Sequence, residues 1–377
     1  MAKIRVLVVD DSYFIRKTLS KLISNDNIEV VDTAANGLEA VQKVASLKPD
    51  LVTMDIEMPV MDGLTAVKEI MKSNPVPIIM VSTLTSNGAD ATMEALANGA
   101  VEFVTKTASF NDLGSIKEDL LCKIASVSKS SLIINQIRSK NHLLQMKKAL
   151  RSGFKDTVEV SAPTKTIIEK SNFEYKLAVP QFGRKPRSSE LSVMVIGIST
   201  GGPAALQEII PYFSADIPVP ILIVQHMPAL FTKSLAERLN AKSKLNIKEA
   251  EHGEKIMHGN VYIAPGGKQM TINSNMQVVI SDEPANELFK PSVNVLGDSL
   301  VNTLGSRVLC LMMTGMGHDG GDAFQKLHSK GAYIMVQDPE TCVVAGMVKT
   351  VLDLNIANEI VPLHDLPTAI ASIFGVR

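Results

Sequence analysis

Five residues in the first third of the chain are of the types that phosphoryl chemistry uses. Asp10 and Asp11 end one apolar run (IRVLVVDD), Asp55 ends a second (LVTMD), Ser82 a third (PIIMVS) and Lys106 a fourth (VEFVTK). Carboxylates gathered at one place repel unless a cation joins them. A small hard ion such as Mg2+, held by one or two carboxylates and keeping several waters, is the economical partner and favours a phosphate ligand. Asp55 is then placed to act as a nucleophile, while Ser82 and Lys106 supply a hydroxyl and a cation for phosphoryl oxygens. Any one acid at a strand end reads as a turn former; the five residues together do not.

A second constellation begins at VMVIGISTGGPAAL, where Ser199 sits in the pattern Gly197-x-Ser199-x-Gly201 between an apolar strand and the start of a helix. The pattern fits a nucleophile elbow, and it fits equally an anion cradle made of helix-start amides. A serine nucleophile needs a base. His226 follows the apolar run PILIVQ and so shares a strand-end position with Ser199, whereas His318, in GMGHDGG, is the nearer competitor. For an orienting acid, Asp319 follows the run RVLCLMM and Asp338 follows AYIMVQ. The glycines around Asp319 allow close backbone approach and mildly favour it. The order Ser, His, Asp differs from that of the α/β-hydrolases and from both familiar serine protease orders.

These residues need a scaffold that brings strand ends together. Val- and Ile-rich runs at 4–10, 28–34, 50–54, 77–82 and 101–106 alternate with helical periodicity such as GLEAVQKVASL, which predicts a parallel sheet covered by helices on both faces. A second series, LSVMVIG, PILIVQ, NVYIAP, RVLCLMMTG and AYIMVQD, predicts another doubly wound α/β domain. Ligands of such folds bind at the carboxyl edge of the sheet, where all the candidate residues fall. Between the two series, residues 129–187 hold 13 Lys or Arg against 4 Asp or Glu and are rich in polar residues. The expected division is a first domain over 1–125, a basic linker over 126–189 and a second domain over 190–377. The linker's first part, SLIINQIRSKNHLLQMKKAL, has helical spacing of apolar residues. Its positive excess reads first as a solvated spacer, and second as an attractor of acidic helices or an anionic membrane surface.

With 377 residues the chain exceeds one ordinary core, and 45% hydrophobic with 20% charged residues is the composition of a folded α/β protein. A net charge of -1 gives no whole-molecule argument for nucleic acid. Cys122, Cys310 and Cys342 form no CxxC pair, which fits a reducing cytoplasm. The opening MAKIRVLVVDD is too short for a signal-peptide core, and no apolar run reaches spanning length, so an integral membrane protein is not expected.

The motifs DDS, MDIEMPVMDG, MVS and VTK closely resemble the receiver domain of two-component response regulators. The resemblance implies that Asp55 accepts a phosphoryl group from a histidine kinase and that Asp10 and Asp11 organise Mg2+ with the backbone carbonyl of Glu57. It makes Ser82 and Lys106 the phosphate sensors and Phe103 the aromatic switch. Thr107 stands where receivers usually carry proline, which leaves the setting of Lys106 open. The blocks IGISTGGP, VQHMP, VYIAPGG, KPSVNVL, MTGMGHDG and VQDPETCVVAGM resemble, in order, the chemotaxis protein-glutamate methylesterase family, CheB. That resemblance implies Ser199 as nucleophile, His226 as general base, Asp319 as orienting acid, Thr200 near the histidine and the Met316 amide near the oxyanion. Cys342 and Val348 depart from the family's usual serine and proline, outside the triad.

Together the two resemblances imply a cytoplasmic enzyme, activated by phosphorylation, that hydrolyses glutamate methyl esters and deamidates glutamines on chemoreceptors. The unphosphorylated receiver would cover the esterase site. The competing expectations are an esterase of small metabolites, told apart by turnover of free methyl esters, and a phosphorylation-controlled adaptor with a vestigial esterase site.

Overall fold

The computed structural model describes residues 3–106, 113–130 and 184–376. The first sheet holds β1 (Ile4–Val9), β2 (Ile28–Ala34), β3 (Leu51–Asp55), β4 (Ile78–Thr83) and β5 (Glu102–Lys106). They pair in parallel in the order β2-β1-β3-β4-β5, and each lies within a residue or so of its expected run. Alternation along β1 divides its side chains between two layers. Leu7 and Val9 face α2 (Gly37–Leu47), α3 (Gly63–Ser73) and α4 (Ser86–Ala97), while Val6 and Val8 face α1 (Tyr13–Ile23) and α5 (Leu113–Lys129). Side-chain caps start the first four helices: Ser12, Asn36, Asp62 and Thr85 each accept a backbone N–H three residues on.

The second sheet is parallel and seven-stranded. Its strands are β6 (Val193–Ile198), β7 (Ile221–Gln225), β8 (Asn246–Glu249), β9 (Asn260–Ile263), β12 (Val308–Met312), β13 (Tyr333–Gln337) and β14 (Glu359–Val361), in the order β14-β13-β12-β6-β7-β9-β8. The antiparallel hairpin β10 (Gln269–Ile272) and β11 (Val278–Ser281) stands apart. Helices α6 (Gly202–Ile209), α7 (Phe231–Asn240) and α11 (Leu366–Phe374) pack on one face, and α8 (Val293–Thr303), α9 (Gly321–Ser329) and α10 (Gly346–Asp353) on the other. Both sheets are the doubly wound kind expected. Three features were not foreseen: β8, β14 and the hairpin, all short and partly exposed, so that their apolar runs are too brief to read.

One apolar cluster runs from the first half into the second. Met93 and Leu96 on α4 and Phe103 on β5 belong to the same buried set as Leu206 on α6 and Phe231 on α7. Phe103 stacks on Phe231 with ring centroids 4.6 Å apart and planes 10° off parallel. Beside them Ser234 Oγ donates to Asp90 Oδ1 at 2.6 Å. The helix expected over SLIINQIRSKNHLLQMKKAL and the Lys106–Thr107 link both lie outside the described residues.

Candidate functional site

At the carboxyl edge of the first sheet, the chain order reverses between β1 and β3, and the acids collect there. Asp10 is fully buried, Asp55 nearly so and Asp11 exposed, and one carboxylate oxygen from each lies within 4.8 Å of the others. Lys106 Nζ is 2.8 Å from both Asp10 Oδ2 and Asp55 Oδ2. Burial pushes the Asp55 carboxyl up to about 6; Lys106 pulls the other way and the Asp10 charge adds to the rise. Burial opposes the charge on Lys106, but the two acids outweigh it and raise its pKa. One lysine thus serves two buried carboxylates, and a third stands open to solvent. The donor set fits a hard dication, with Asp10, Asp11 and Asp55 in reach, and Glu57 lines the same cleft as Asp11.

Gly63 makes this packing feasible, because a Cβ there would stand 1.9 Å from the Asp55 carbonyl oxygen. Ser82 is fully buried, and its hydroxyl donates to the carbonyls of Gly88 at 3.2 Å and Thr83 at 3.3 Å, on the side of α4.

The second site is built on β6, where the second sheet's order reverses: β7 lies on one side and β12 on the other. Register Ile198↔Gln225 brings Ser199 and His226 to the same level, one residue beyond each strand. Ser199 N donates to Thr314 O at 2.9 Å and Ser199 O accepts from Gly202 N at 2.8 Å, which closes a tight strand-to-helix turn. Gly201 turns with φ +77, and Val343 would lie 2.5 Å from a Cβ placed there, so only glycine fits.

His226 Nε2 lies 2.8 Å from Asp319 Oδ2. A carboxylate only accepts, so Nε2 carries the proton and Nδ1 is left with a lone pair. That Nδ1 is buried and has no partner. Asp319 is held from the other side by the start of α8: Ser292 Oγ and Asn294 N donate to Oδ1 at 2.9 and 3.0 Å, and Val293 N to Oδ2 at 2.6 Å. Burial favours the neutral acid, yet His226 and these backbone donors outweigh it and hold Asp319 below the usual carboxylate range. His318 is exposed, and Asp338 accepts from Glu340 N as a turn former. Cys342 is buried with Sγ 3.5 Å from Asp338 O, and Val348 is buried in α10, both consistent with loop packing.

Ser199, Thr200, His226 and Met316 line one cleft of about 220 Å³, and Glu102 and Lys123 of the first half line it too. Thr200 O accepts from Thr314 Oγ1 at 2.9 Å, and Met316 Sδ lies 3.6 Å from Ser126 Oγ on α5. Glu102 was not singled out in the sequence, where it is one acid in a strand. Its carboxylate is wholly buried, accepting from Phe103 N at 2.9 Å and from Gly201 N, beside the elbow, at 3.2 Å. Phe289 was also missed; its ring lies flat on that of His226, with centroids 4.4 Å apart.

Comparison with known proteins matches residues 6–117 to the response regulator receiver domain and residues 194–370 to the CheB methylesterase domain. Curated relatives align over almost the whole chain. Those of Lawsonia intracellularis (98% of each chain) and Archaeoglobus fulgidus (99% of each) are both 40% identical to it. Both carry the name protein-glutamate methylesterase/protein-glutamine glutaminase. A relative from Vibrio cholerae bears the same name with the number 1, at 40% identity and 96% coverage of each chain.

Proposed function

This chain belongs to the CheB methylesterase family, with a response-regulator receiver domain in front, and on that footing we infer that it hydrolyses glutamate methyl esters and deamidates glutamines on chemoreceptors under the control of receiver phosphorylation. The observation that carries the reading is the His226–Asp319 pair, with one ring nitrogen protonated toward the acid and the other unpartnered in the cleft of Ser199. Residues 1–125 would form the receiver, 126–189 the connecting segment and 190–377 the catalytic domain.

In the proposed mechanism Ser199 Oγ attacks the ester carbonyl and His226 Nδ1 takes its proton. Asp319 stabilises the imidazolium so formed. The Met316 amide receives the oxyanion, with Thr200 beside the histidine. His226 then returns the proton to the departing methoxide, methanol leaves, and water repeats the sequence on the acyl-enzyme to release glutamate. With a glutamine substrate, ammonia leaves instead. In the receiver, Asp55 accepts the phosphoryl group from a histidine kinase, with Ser82, Lys106 and Phe103 responding. Mg2+, held by Asp10, Asp11, Asp55 and the Glu57 carbonyl, would neutralise phosphoryl oxygens. No helix among the described residues is long and apolar enough to cross a membrane, and the cytoplasm is the proposed compartment.

The test is methanol release from methylated receptor membranes, with and without a small phosphodonor and Mg2+. Release that rises with the phosphodonor supports the reading; none in either condition overturns it. Asp55→Asn should keep the unstimulated rate and bring the stimulated-to-unstimulated ratio to about one, since the switch acts only through the added phosphate charge. A variant that still responds would remove Asp55 as the acceptor.

Glu102 offers a further prediction about the covering receiver. Deleting its carboxyl leaves the Gly201 amide unsatisfied in the closed arrangement, at a cost of roughly 1–3 kcal/mol. Glu102→Ala should therefore raise the unstimulated rate about tenfold or more, because 1.4 kcal/mol is tenfold in an equilibrium. Burial raises the Glu102 pKa, with Lys123 opposing. The closed form thus holds that proton more tightly than an open form would. Closure is favoured at low pH and weakens as pH rises, so the unstimulated-to-stimulated ratio should climb with pH in the wild type and stay level in Glu102→Ala.

A further inference from the structure

We propose that Phe289 is the positioning residue of the catalytic base, its ring fixing the plane of the His226 imidazole and stabilising the imidazolium that forms during acyl transfer. The inference rests on His226 being that base. A histidine ring turns about a soft sp³–sp² torsion, and one hydrogen bond at Nε2 defines a single edge of it. The opposite nitrogen, Nδ1, has no partner to hold it. What restrains the ring is a face. Phe289 lies 4.4 Å away, centroid to centroid, with the two planes 3° apart.

Phe289 is itself tied to the acid. Gln269, fully buried, donates from Nε2 to the Phe289 carbonyl at 2.7 Å and accepts from Ser292 N at 2.9 Å through Oε1. Ser292 Oγ in turn donates to Asp319 Oδ1 at 2.9 Å. One glutamine on β10 therefore sets the stacking ring and the carboxylate in a common frame, with His226 between them. On its far side Phe289 Cζ stands 3.7 Å from where a Gly317 Cβ would be, next to Met316. The ring stacks on the base and lies beside the loop proposed to receive the oxyanion. An aromatic face also attracts a cation, by about 0.5–2 kcal/mol depending on desolvation. The neutral imidazole of the ground state feels little of this, so the attraction grows as the proton arrives.

Phe289→Leu keeps apolar bulk and loses the flat face; Phe289→Tyr keeps the face. In the full-length protein, Phe289→Leu should lower kcat for methanol release about 2- to 30-fold, the range that cation–π strength converts to, with KM little changed. Phe289→Tyr should restore kcat. Nitrogen-15 NMR of the histidine rings, with His226 assigned by difference from His226→Gln, should show a single Nε2–H tautomer in the wild type and Phe289→Tyr and a mixture in Phe289→Leu. Phe289→Leu with unchanged kcat and a single tautomer, or with only a raised KM, would overturn the proposal. Should the wild type release no methanol, the activity itself fails, while the tautomer measurement still decides the role of Phe289.

Discussion

Ser199→Ala is expected to reduce methanol release by on the order of a thousandfold or more, leaving what binding and the oxyanion donors supply alone. The expectation comes from geometry. The serine stands at the reversal point of the seven-stranded sheet, on a turn closed by Thr314 and Gly202, and it is level with His226 across the β6–β7 register in the cleft they both line. Thr200 is buried next to it, with its carbonyl engaged by Thr314. The substitution removes one hydroxyl from a half-buried position and disturbs no hydrogen bond described for Ser199, all of which are made by its backbone. Thermal unfolding should therefore match the wild type. Residual turnover within tenfold of the wild type, in a folded variant, would show that the hydroxyl is not the attacking group.

Asp319→Asn should cost nearly as much, about 10³- to 10⁴-fold in kcat, by the tautomer argument established for triad enzymes in general. Asp319 accepts four hydrogen bonds, from Ser292 Oγ, Val293 N, Asn294 N and His226 Nε2. An asparagine offers only one accepting atom. Whichever way its amide turns, an NH2 group faces a donor: either His226 Nε2 and Val293 N, or Ser292 and Asn294. If it faces His226, the ring is driven to the Nδ1–H tautomer, whose proton occupies the position that must receive one from Ser199. If it faces α8, the helix start loses an acceptor and stability falls by about 1–3 kcal/mol per buried unsatisfied donor. Ring-nitrogen chemical shifts and thermal unfolding distinguish the two. Retention of wild-type kcat would dismiss Asp319 as the orienting acid. Combining Asp319→Asn with Ser199→Ala should add little to Ser199→Ala alone, since the members of a triad act as a unit.

The amino-acid order alone encodes the two doubly wound sheets, because a buried parallel strand must be an almost unbroken apolar run and β1, β3, β4, β6, β7, β12 and β13 are such runs. It also determined which residues gather, since a residue at or just past the end of a parallel strand falls on the carboxyl edge whatever the details of packing: Asp10, Asp55 and Lys106 on one sheet, Ser199 and His226 on the other. It left unread β8 and the hairpin of β10 and β11, where four-residue strands have no period long enough to detect. The flanking glycines and the family resemblance already favoured Asp319 over Asp338, since both follow apolar strands; only the folded structure supplies its contact with His226 and the donors from α8. The same holds for the ring orientation of His226, the side of Ser82 that meets α4, the stacking of Phe289 and the reach of Glu102 to Gly201. These are contacts between residues distant in the chain, made by side-chain directions that no local pattern encodes. Position along a strand is set by periodicity; partnership across the cleft is set by how helices and loops of both halves close over the strand ends.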